Sequence, residues 1–142
     1  MLFLLVIFVI GFIFLQYKKQ ARDNIFGLKV GGSYVSVEVA DEPQEWLQGL
    51  SGRKFLAEGA GMLFIFPFSE IQTFWNKNTF LPLDVVWIQD EEIVGYSFLP
   101  AQIEGSEPVM VRSPAPVNRV LEVGAGWMEL NLIKPGDRVY WP

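Results

Sequence analysis

The residues in this sequence that are best suited to chemistry lie in a short polar stretch within an apolar, aromatic segment. Residues 73–88 read TFWNKNTFLPLDVVWI, and positions 76–79 place two amides, an ammonium group and a hydroxyl side by side. A carboxylate, Asp84, follows five residues after Thr79. A chain that only has to turn can use Gly, Asp or Ser at such a point, so these groups indicate a cleft that faces a polar ligand. The residues predicted to bind that ligand are Arg53, Trp75, Asn76, Lys77, Asn78, Thr79, Asp84 and Glu122.

Two interpretations of this stretch stay open. In the structural one it is a hydrogen-bonded corner, in which Lys77 pairs with Asp84 or Glu122 and the amides bond to the backbone. In the functional one the same groups line a cleft, and Trp75 offers a flat ring beside amide donors as a platform for a sugar or another small ligand. Replacing Lys77 by Met separates the two, because losing a structural ion pair would leave a carboxylate without its partner.

Any catalysis by this chain would have to rest on Asp, Glu, Lys, Ser, Thr or Tyr, and a pair of carboxylates is the main candidate. Asp84 and Glu122, with Lys77 as an electrophile, would suit acid–base hydrolysis, including hydrolysis of glycosides. Structural ion pairs between these carboxylates and nearby cations are the interpretation that we favour. The candidate cations are Arg53, Lys77, Arg112 and Arg119. Ser51 and Lys54 match the S-x-x-K motif of penicillin-recognising enzymes, but the motifs that accompany it there are missing.

Two absences from the composition exclude whole classes of chemistry. The chain has no Cys and no His, which removes disulfides, thiolate nucleophiles, imidazole bases and the usual ligands of zinc, copper and haem. A metal would have to be a hard, oxygen-bound ion, and the acids at Asp90, Glu104 and Glu107 lack the spacing of a calcium loop. We therefore expect no cofactor. Past Asp23, eight basic residues face fifteen acidic ones, and this net charge of −7 argues against nucleic-acid binding.

The N-terminal segment predicts a membrane anchor. Residues 1–15 contain no polar side chain, and Tyr17 then leads into a pair of lysines. Seventeen helical residues span roughly 25 Å, slightly less than the ~30 Å hydrocarbon core of a bilayer, and the tyrosine and lysines can extend that reach. A cleaved signal peptide fits less well, because no basic residue precedes the apolar run and no A-x-A site follows it. The predicted organisation is a transmembrane anchor at 1–17, a tether at 18–32 and a β domain at 33–142.

Short strands and close turn signals follow the tether. Val35, Val37 and Val39 alternate with polar residues, which is the pattern of a half-buried strand. Further strands are predicted at 61–66, 73–76, 84–89, 93–99, 119–123 and 138–141, with a short one at 28–30. The loop at 101–109 carries two acids and lies on the surface.

Two brief helices complete the predicted elements. Pro43 opens the first, with Trp46, Leu47 and Leu50 as its apolar stripe and Gly52 at its end. A second helix passes through residues 127–130, where Trp127 docks it on the sheet. The fold class is therefore mainly β, a compact small barrel or sandwich of jelly-roll type with two short helices, preceded by a transmembrane helix.

A family resemblance rests on five short phrases. They are GLSGR (Gly49–Arg53), GMLFIF (Gly61–Phe66), FWNKNTFLPLD (Phe74–Asp84), VLEVGAGW (Val120–Trp127) and KPGDRV (Lys134–Val139). In this order they resemble the prokaryotic family called domain of unknown function 192, an uncharacterised conserved family. The resemblance covers about Val35 to Tyr140, nearly all of the presumed folded domain.

The resemblance implies a compact β fold akin to a small jelly roll, and family members often carry an export segment. It implies no biochemical activity. This chain departs from the family in having Ser51 and Asn76 where Met is usual. Many members also have a Cys pair in the loop that corresponds to Ala101–Val109, and its absence leads us to expect that packing alone holds this loop.

These features predict a membrane-tethered β domain that binds a small polar ligand or a partner protein of the cell envelope and is not itself an enzyme. The alternative is a carboxylate-based hydrolase that uses Asp84 and Glu122. Lys18, Lys19 and Arg22 follow the anchor, and the positive-inside tendency would keep the domain in the cytoplasm. The export segments of the family imply the opposite, and on that resemblance we expect an extracytoplasmic domain.

Overall fold

The described part of the chain is built mainly from β-strands. A computed structural model describes residues 25–141, which form nine strands and two short helices. The strands are β1 (Ile25–Val30), β2 (Ser33–Ala40), β3 (Ala60–Glu70), β4 (Thr73–Trp75), β5 (Leu83–Gln89), β6 (Glu92–Leu99), β7 (Met110–Arg112), β8 (Val117–Gly124) and β9 (Val139–Tyr140). The helices are α1 (Pro43–Gln48) and α2 (Trp127–Leu130).

One large sheet dominates these residues. Within 25–141, seven strands pair in the order β6-β5-β8-β3-β2-β1-β9, and β4 pairs with β7 outside that sheet. β2 and β3 run parallel, whereas the other neighbours run antiparallel. A jelly roll divides its strands between two packed sheets. This chain instead places most of its strands in a single sheet.

The large sheet curls until its first and last strands approach each other. The Ile93 amide on β6 donates to the carbonyl of Asp137 at 3.0 Å, and the Val139 amide on β9 donates to the carbonyl of Glu91 at 2.8 Å. These bonds occupy backbone groups that an open sheet leaves unpaired at its edges. The described chain is therefore mainly β, a curled half-barrel sheet with two short helices.

The two faces of the sheet carry separate apolar clusters. The inner cluster includes Ile93 of β6 and Val139 of β9, so it lies inside the curl and touches both ends of the sheet. Met128 of α2 belongs to it, and Trp127 packs against it as expected. The outer cluster lies on the opposite face, where Phe64 and its neighbours pack beneath α1 and β4. This second cluster is the one that surrounds the candidate site.

The strands extend further than the sequence indicated. β1 begins at Ile25 and pairs with β2 along its whole length, so the sheet takes up residues 25–30 of the segment assigned to the tether. β3 continues through Pro67 to Glu70, and its pairing with β8 shifts register after Ile65. Such an irregularity is where a strand tolerates Pro, which cannot donate to the ladder. β7 was not predicted, because three residues are too few to show an alternating pattern.

Helix α1 is shorter than expected. It ends at Gln48, and Gly49 follows it with a φ of 45°, a left-handed conformation that favours Gly, so the predicted end at Gly52 was wrong. Leu47 is 76% exposed, so it does not belong to the apolar stripe. Trp46 packs against the outer cluster from the helix, and Leu50, which follows the break at Gly49, is buried in the same cluster.

Among residues 25–141, no helix combines the length and the apolar character needed to cross a membrane. The anchor predicted at residues 1–17 lies outside the described residues.

Candidate functional site

Asn76 holds the long loop between β6 and β7. The side chain is buried, and its amide nitrogen donates to the carbonyl of Pro100 at 2.8 Å. Its amide oxygen accepts from the backbone amide of Val109, also at 2.8 Å. One side chain therefore ties both ends of the loop to β4. A Met side chain, which is usual at this position in the resembling family, has neither the donor nor the strong acceptor for these bonds.

The rest of the corner bonds to the same loop. The backbone N–H of Asn78 donates to the side-chain oxygen of Gln102 at 2.6 Å, and the backbone N–H of Gln102 donates to the carbonyl of Thr79 at 2.8 Å. Asn78 has a φ of 56°, a left-handed conformation that Asn tolerates better than most residues. The expectation that packing alone holds this loop was wrong, because hydrogen bonds from the polar stretch take that role.

Lys77 lies over an aromatic ring. Its ammonium nitrogen is 5.1 Å from the centroid of Trp75, and both side chains are exposed. Within residues 25–141, Lys77 forms no salt bridge. The ion pair expected with Asp84 or Glu122 is therefore not formed.

Arg53 is paired with a carboxylate that the sequence did not single out. Its two terminal nitrogens donate to the two carboxylate oxygens of Glu38, both at 2.6 Å. These hydrogen bonds raise the pKa of Arg53 above its ordinary value. The guanidinium group is thereby directed to β2 and contacts neither Asp84 nor Glu122.

The two candidate catalytic carboxylates lie on opposite faces of the large sheet. In the pairing of β5 with β8, Asp84 is opposite Val123 and Glu122 is opposite Val85. Directly opposed residues share a face, and Val123 belongs to the inner cluster whereas Val85 belongs to the outer one. One Asp84 carboxylate oxygen accepts from the Met128 amide at 3.1 Å and so binds the first turn of α2. The sheet does not bring Asp84 and Glu122 together.

Glu122 lies within the outer apolar cluster. Its side chain is 4% exposed, and its neighbours across the strands, Met62 and Val85, are both apolar. Among the described residues, its carboxyl group has neither a hydrogen-bond partner nor a salt bridge. Burial raises the pKa of Glu122 from its ordinary value of 4.5 to about 8. The carboxyl group is therefore mostly protonated at neutral pH.

A narrow pocket leads from the surface to Glu122. Its volume is about 30 Å³, enough for one or two water-sized groups. Its walls combine aromatic, aliphatic and polar side chains. They include Trp46, Leu50, Phe64, Phe74 and Trp75, with Ser51, Lys77, Thr79 and Glu122 as the ionisable and hydroxyl-bearing members.

A larger groove adjoins the pocket between α1 and β4. It has a volume of about 560 Å³ and shares Trp46, Phe74 and Trp75 with the pocket as walls. Leu47 of α1 and Met110 of β7 lie along it, and both are largely exposed. Because they share these walls, we take the pocket and the groove together as the candidate site, which is polar in the pocket and mostly apolar in the groove.

The pocket gathers half of the residues that the sequence predicted. The predicted residues that line it are Trp75, Lys77, Thr79 and Glu122, and those that do not are Arg53, Asn76, Asn78 and Asp84. Sequence reasoning missed Phe64 and Phe74 as walls, because an aromatic residue in a strand is most simply read as core. Within residues 25–141, no group of three acidic side chains is placed to hold a metal ion.

The fold and the pocket together define a small β domain with a partly apolar, partly polar cleft. The sequence matches the family DUF192, described as "Uncharacterized ACR", over residues 27–141, and the chain belongs to this family. The comparison with curated proteins gave no match.

Two solved structures are similar to this chain. One, from Sinorhizobium meliloti 1021, is described as a candidate transcription regulator; it is 34% identical with a TM-score of 0.71, and the match covers 80% of this chain and 91% of that one. The other is a protein of unknown function from Novosphingobium aromaticivorans DSM 12444. It is 30% identical with a TM-score of 0.72, and the match covers 82% of this chain and 85% of that one.

Proposed function

We propose that this protein is a binding module for a small polar ligand whose polar end enters the pocket and contacts Glu122. The observation that carries the proposal is the buried carboxyl group, which faces the pocket without a partner among the described residues. Removing a carboxyl group from bulk water is costly when no protein group bonds to it. Apolar side chains would pack this part of the outer cluster at no such cost, and residues kept at the expense of stability are typical of binding sites.

The groove supports the same proposal. Ligand sites are concave, mostly apolar and equipped with a few polar groups, and their volumes are commonly about 300–1,000 Å³. A groove of about 560 Å³ next to a pocket with one buried carboxyl group has these properties. The body of the ligand would lie along Trp75 and Met110, while its polar end reaches Glu122. An envelope protein, the other occupant predicted from the sequence, would have to insert a side chain into the same narrow pocket.

Binding fits the geometry better than hydrolysis. A hydrolase of the type considered above needs two carboxylates that flank one bond, and Asp84 lies on the other face of the sheet from Glu122. DNA binding, which the description of the S. meliloti protein suggests, is disfavoured by the net charge of −7 past Asp23.

The proposal includes a membrane tether. The fifteen apolar residues at the start of the sequence support an anchor at 1–17, with the binding domain on the extracytoplasmic side. The ligand would then be a compound of the cell envelope or its surroundings.

A thermal-shift screen with the whole chain tests the binding function. The panel would contain amines, amino acids, sugars, carboxylic acids and small alcohols. A ligand should raise the Tm of the wild-type protein and leave that of Glu122→Gln unchanged. Glu104→Gln, the same substitution on the exposed loop, is the matched control and should respond like the wild type. A panel without any stabilising compound, or one whose members act equally on Glu122→Gln, would refute the proposal.

A further inference from the structure

We infer that the polar end of the ligand is an ammonium group, so that the pocket selects a primary amine on an apolar stem. This inference rests on the proposed function and names the chemical class that the same site would take. It follows from the hydrogen-bonding atoms that the pocket offers, from its size and its aromatic side chains, and from the positive charge that the Glu122 carboxylate would need beside it.

The end of the pocket is an acceptor, and several donors along its walls are already engaged. The indole N–H of Trp46 donates to the carbonyl of Ala40 at 3.0 Å, the Thr79 hydroxyl to the carbonyl of Lys77 at 3.4 Å and the Gln48 side-chain amide to the carbonyl of Ser51 at 3.3 Å. The Ser51 hydroxyl and the Lys77 ammonium group also line the pocket. The two oxygens of Glu122 remain as acceptors at the end of the pocket. A ligand group that donates several hydrogen bonds complements this set, and an ammonium group donates three.

The size and the walls of the pocket fit the same group. A volume of about 30 Å³ admits an ammonium group, which is close to water in size, more readily than a sugar ring or a phosphate. Aromatic faces attract cations, and rings of Phe64, Phe74 and two tryptophans line the pocket. The ring of Trp75 already contacts the ammonium group of Lys77. The adjoining groove would take the apolar stem of the ligand.

An ammonium group also supplies the positive counter-charge that an ionised Glu122 would need. A buried carboxylate is costly alone and far less so beside a cation. The ionisable side chains that line the pocket are Glu122 and Lys77. Lys77 is exposed and carries its charge on a flexible stem, so its ammonium group can turn towards solvent when another cation binds inside.

Binding of an amine should therefore release a proton. The pKa of Glu122 is about 8 in the free protein, and a bound cation lowers it. At pH 6 the carboxyl group must give up its proton when the amine binds, whereas at pH 8.5 it is mostly ionised beforehand. Affinity should rise over this range while the amine, with an ordinary pKa near ~10.4, stays charged.

Titration with three probes of equal length tests the inference. Hexylammonium, hexanol and hexanoate would each be titrated into the whole chain at pH 6 and pH 8.5, by calorimetry and by the NMR signals of the tryptophan indoles. Hexylammonium should bind at least about tenfold more tightly than either other probe, more tightly at pH 8.5 than at pH 6, and with proton release at pH 6. Glu122→Gln should lose this preference and its pH dependence, while Glu104→Gln should keep both.

The outcomes separate the inference from the proposed function. Tighter binding of hexanol or hexanoate that depends on Glu122 would overturn the amine and leave the binding function standing. Hexylammonium binding that Glu122→Gln does not weaken would overturn the inference, because the contact would lie elsewhere. Absence of binding by all three probes would overturn the inference and count against the proposed function as well.

Discussion

Glu122 is the residue on which the proposed function depends. Most buried carboxylates in folded proteins are paired or hydrogen-bonded, whereas this one lies among Met62, Val85 and aromatic rings with a pocket in front of it. Desolvation without compensation raises its pKa to about 8. Because of this burial, the free domain should be less stable than one with an apolar residue at position 122. In the proposal, the same burial makes the pocket receptive to a group that can pair with the carboxylate.

The raised pKa of Glu122 predicts a loss of stability as the pH rises. In the unfolded chain the group ionises near pH 4.5, whereas in the folded protein it keeps its proton until about pH 8. Between these pH values the folded state binds more protons than the unfolded state. Each unit by which the pH rises therefore lowers the free energy of unfolding by up to about 1.4 kcal/mol through this group. Urea unfolding at pH 5 and pH 8 should show a smaller decline for Glu122→Gln than for the wild type. Equal declines would contradict the assignment.

The Lys77 side chain is predicted to contribute little to stability. It pairs with no carboxylate in the described structure, and its contact with the exposed ring of Trp75 is of the kind worth about 0.5–1 kcal/mol. Lys77→Met should therefore unfold at nearly the wild-type urea concentration. A loss of several kcal/mol would restore the structural ion pair that the sequence also allowed.

At the scale of elements, α1 acts as the cover of the outer cluster. Trp46 packs its ring 5.1 Å from that of Phe66, and its N–H bonds to the carbonyl of Ala40. The helix is only six residues long, so its position depends on these tertiary contacts and not on its own stability. Pocket and groove both have walls on this helix, and its docking therefore shapes the site.

Truncating the ring of Trp46 should show how much this docking contributes. Removal of a buried aromatic side chain typically costs about 3–5 kcal/mol; Trp46 is partly buried, so Trp46→Ala should fall in the lower part of that range. Leu47→Ala is the matched control, since Leu47 is 76% exposed on the next position of the same helix and should change the urea midpoint little. Similar midpoints for the two variants would mean that α1 is not anchored through Trp46.

The corner formed by the polar stretch is the other element with a structural task. Asn76→Ala would leave the Pro100 carbonyl and the Val109 amide without partners, at about 1–3 kcal/mol for each group that stays buried. Limited proteolysis should then cut the loop between them faster. The Asn78→Gly variant should be cut at the wild-type rate. Gly adopts the same left-handed backbone conformation, and the Asn78 side chain makes no hydrogen bond within the described residues.

At the scale of the whole molecule, the curled sheet leaves the site on its outer face. The inner cluster holds the sheet together from within, while α1, β4 and β7 surround the pocket from outside. The pocket therefore lies within the outer cluster, on the face of the sheet opposite the inner one.

The location of the domain is a prediction at this scale. With an anchor at residues 1–17 and an extracytoplasmic domain, the whole chain should sediment with membranes, and protease added to spheroplasts should degrade the domain. A cytoplasmic protein of the same cells, protected until lysis, is the control. Protection of the domain until lysis would show that the lysines after the anchor set its orientation.

The sequence by itself determined that the chain is mainly β, most of its strands and its family. Alternation of apolar residues indicates strands wherever a strand is long enough, as in β2, and the absence of Cys and His excludes much chemistry outright. It also indicated the polar stretch and Glu122, and four of its eight predicted site residues line one pocket.

Only the tertiary structure decided which of those residues meet. The hydrogen bonds between the backbones of two paired strands are alike in any register. A shift of the pairing by one residue moves every side chain of the shifted strand to the other face of the sheet. The pairing of β5 with β8 therefore decided that Asp84 binds the start of α2 while Glu122 lies beneath α1. Packing of distant elements paired Arg53 with Glu38 and gave Glu122 no counter-charge from residues 25–141. These relations depend on residues far apart in the chain, and local patterns do not carry them.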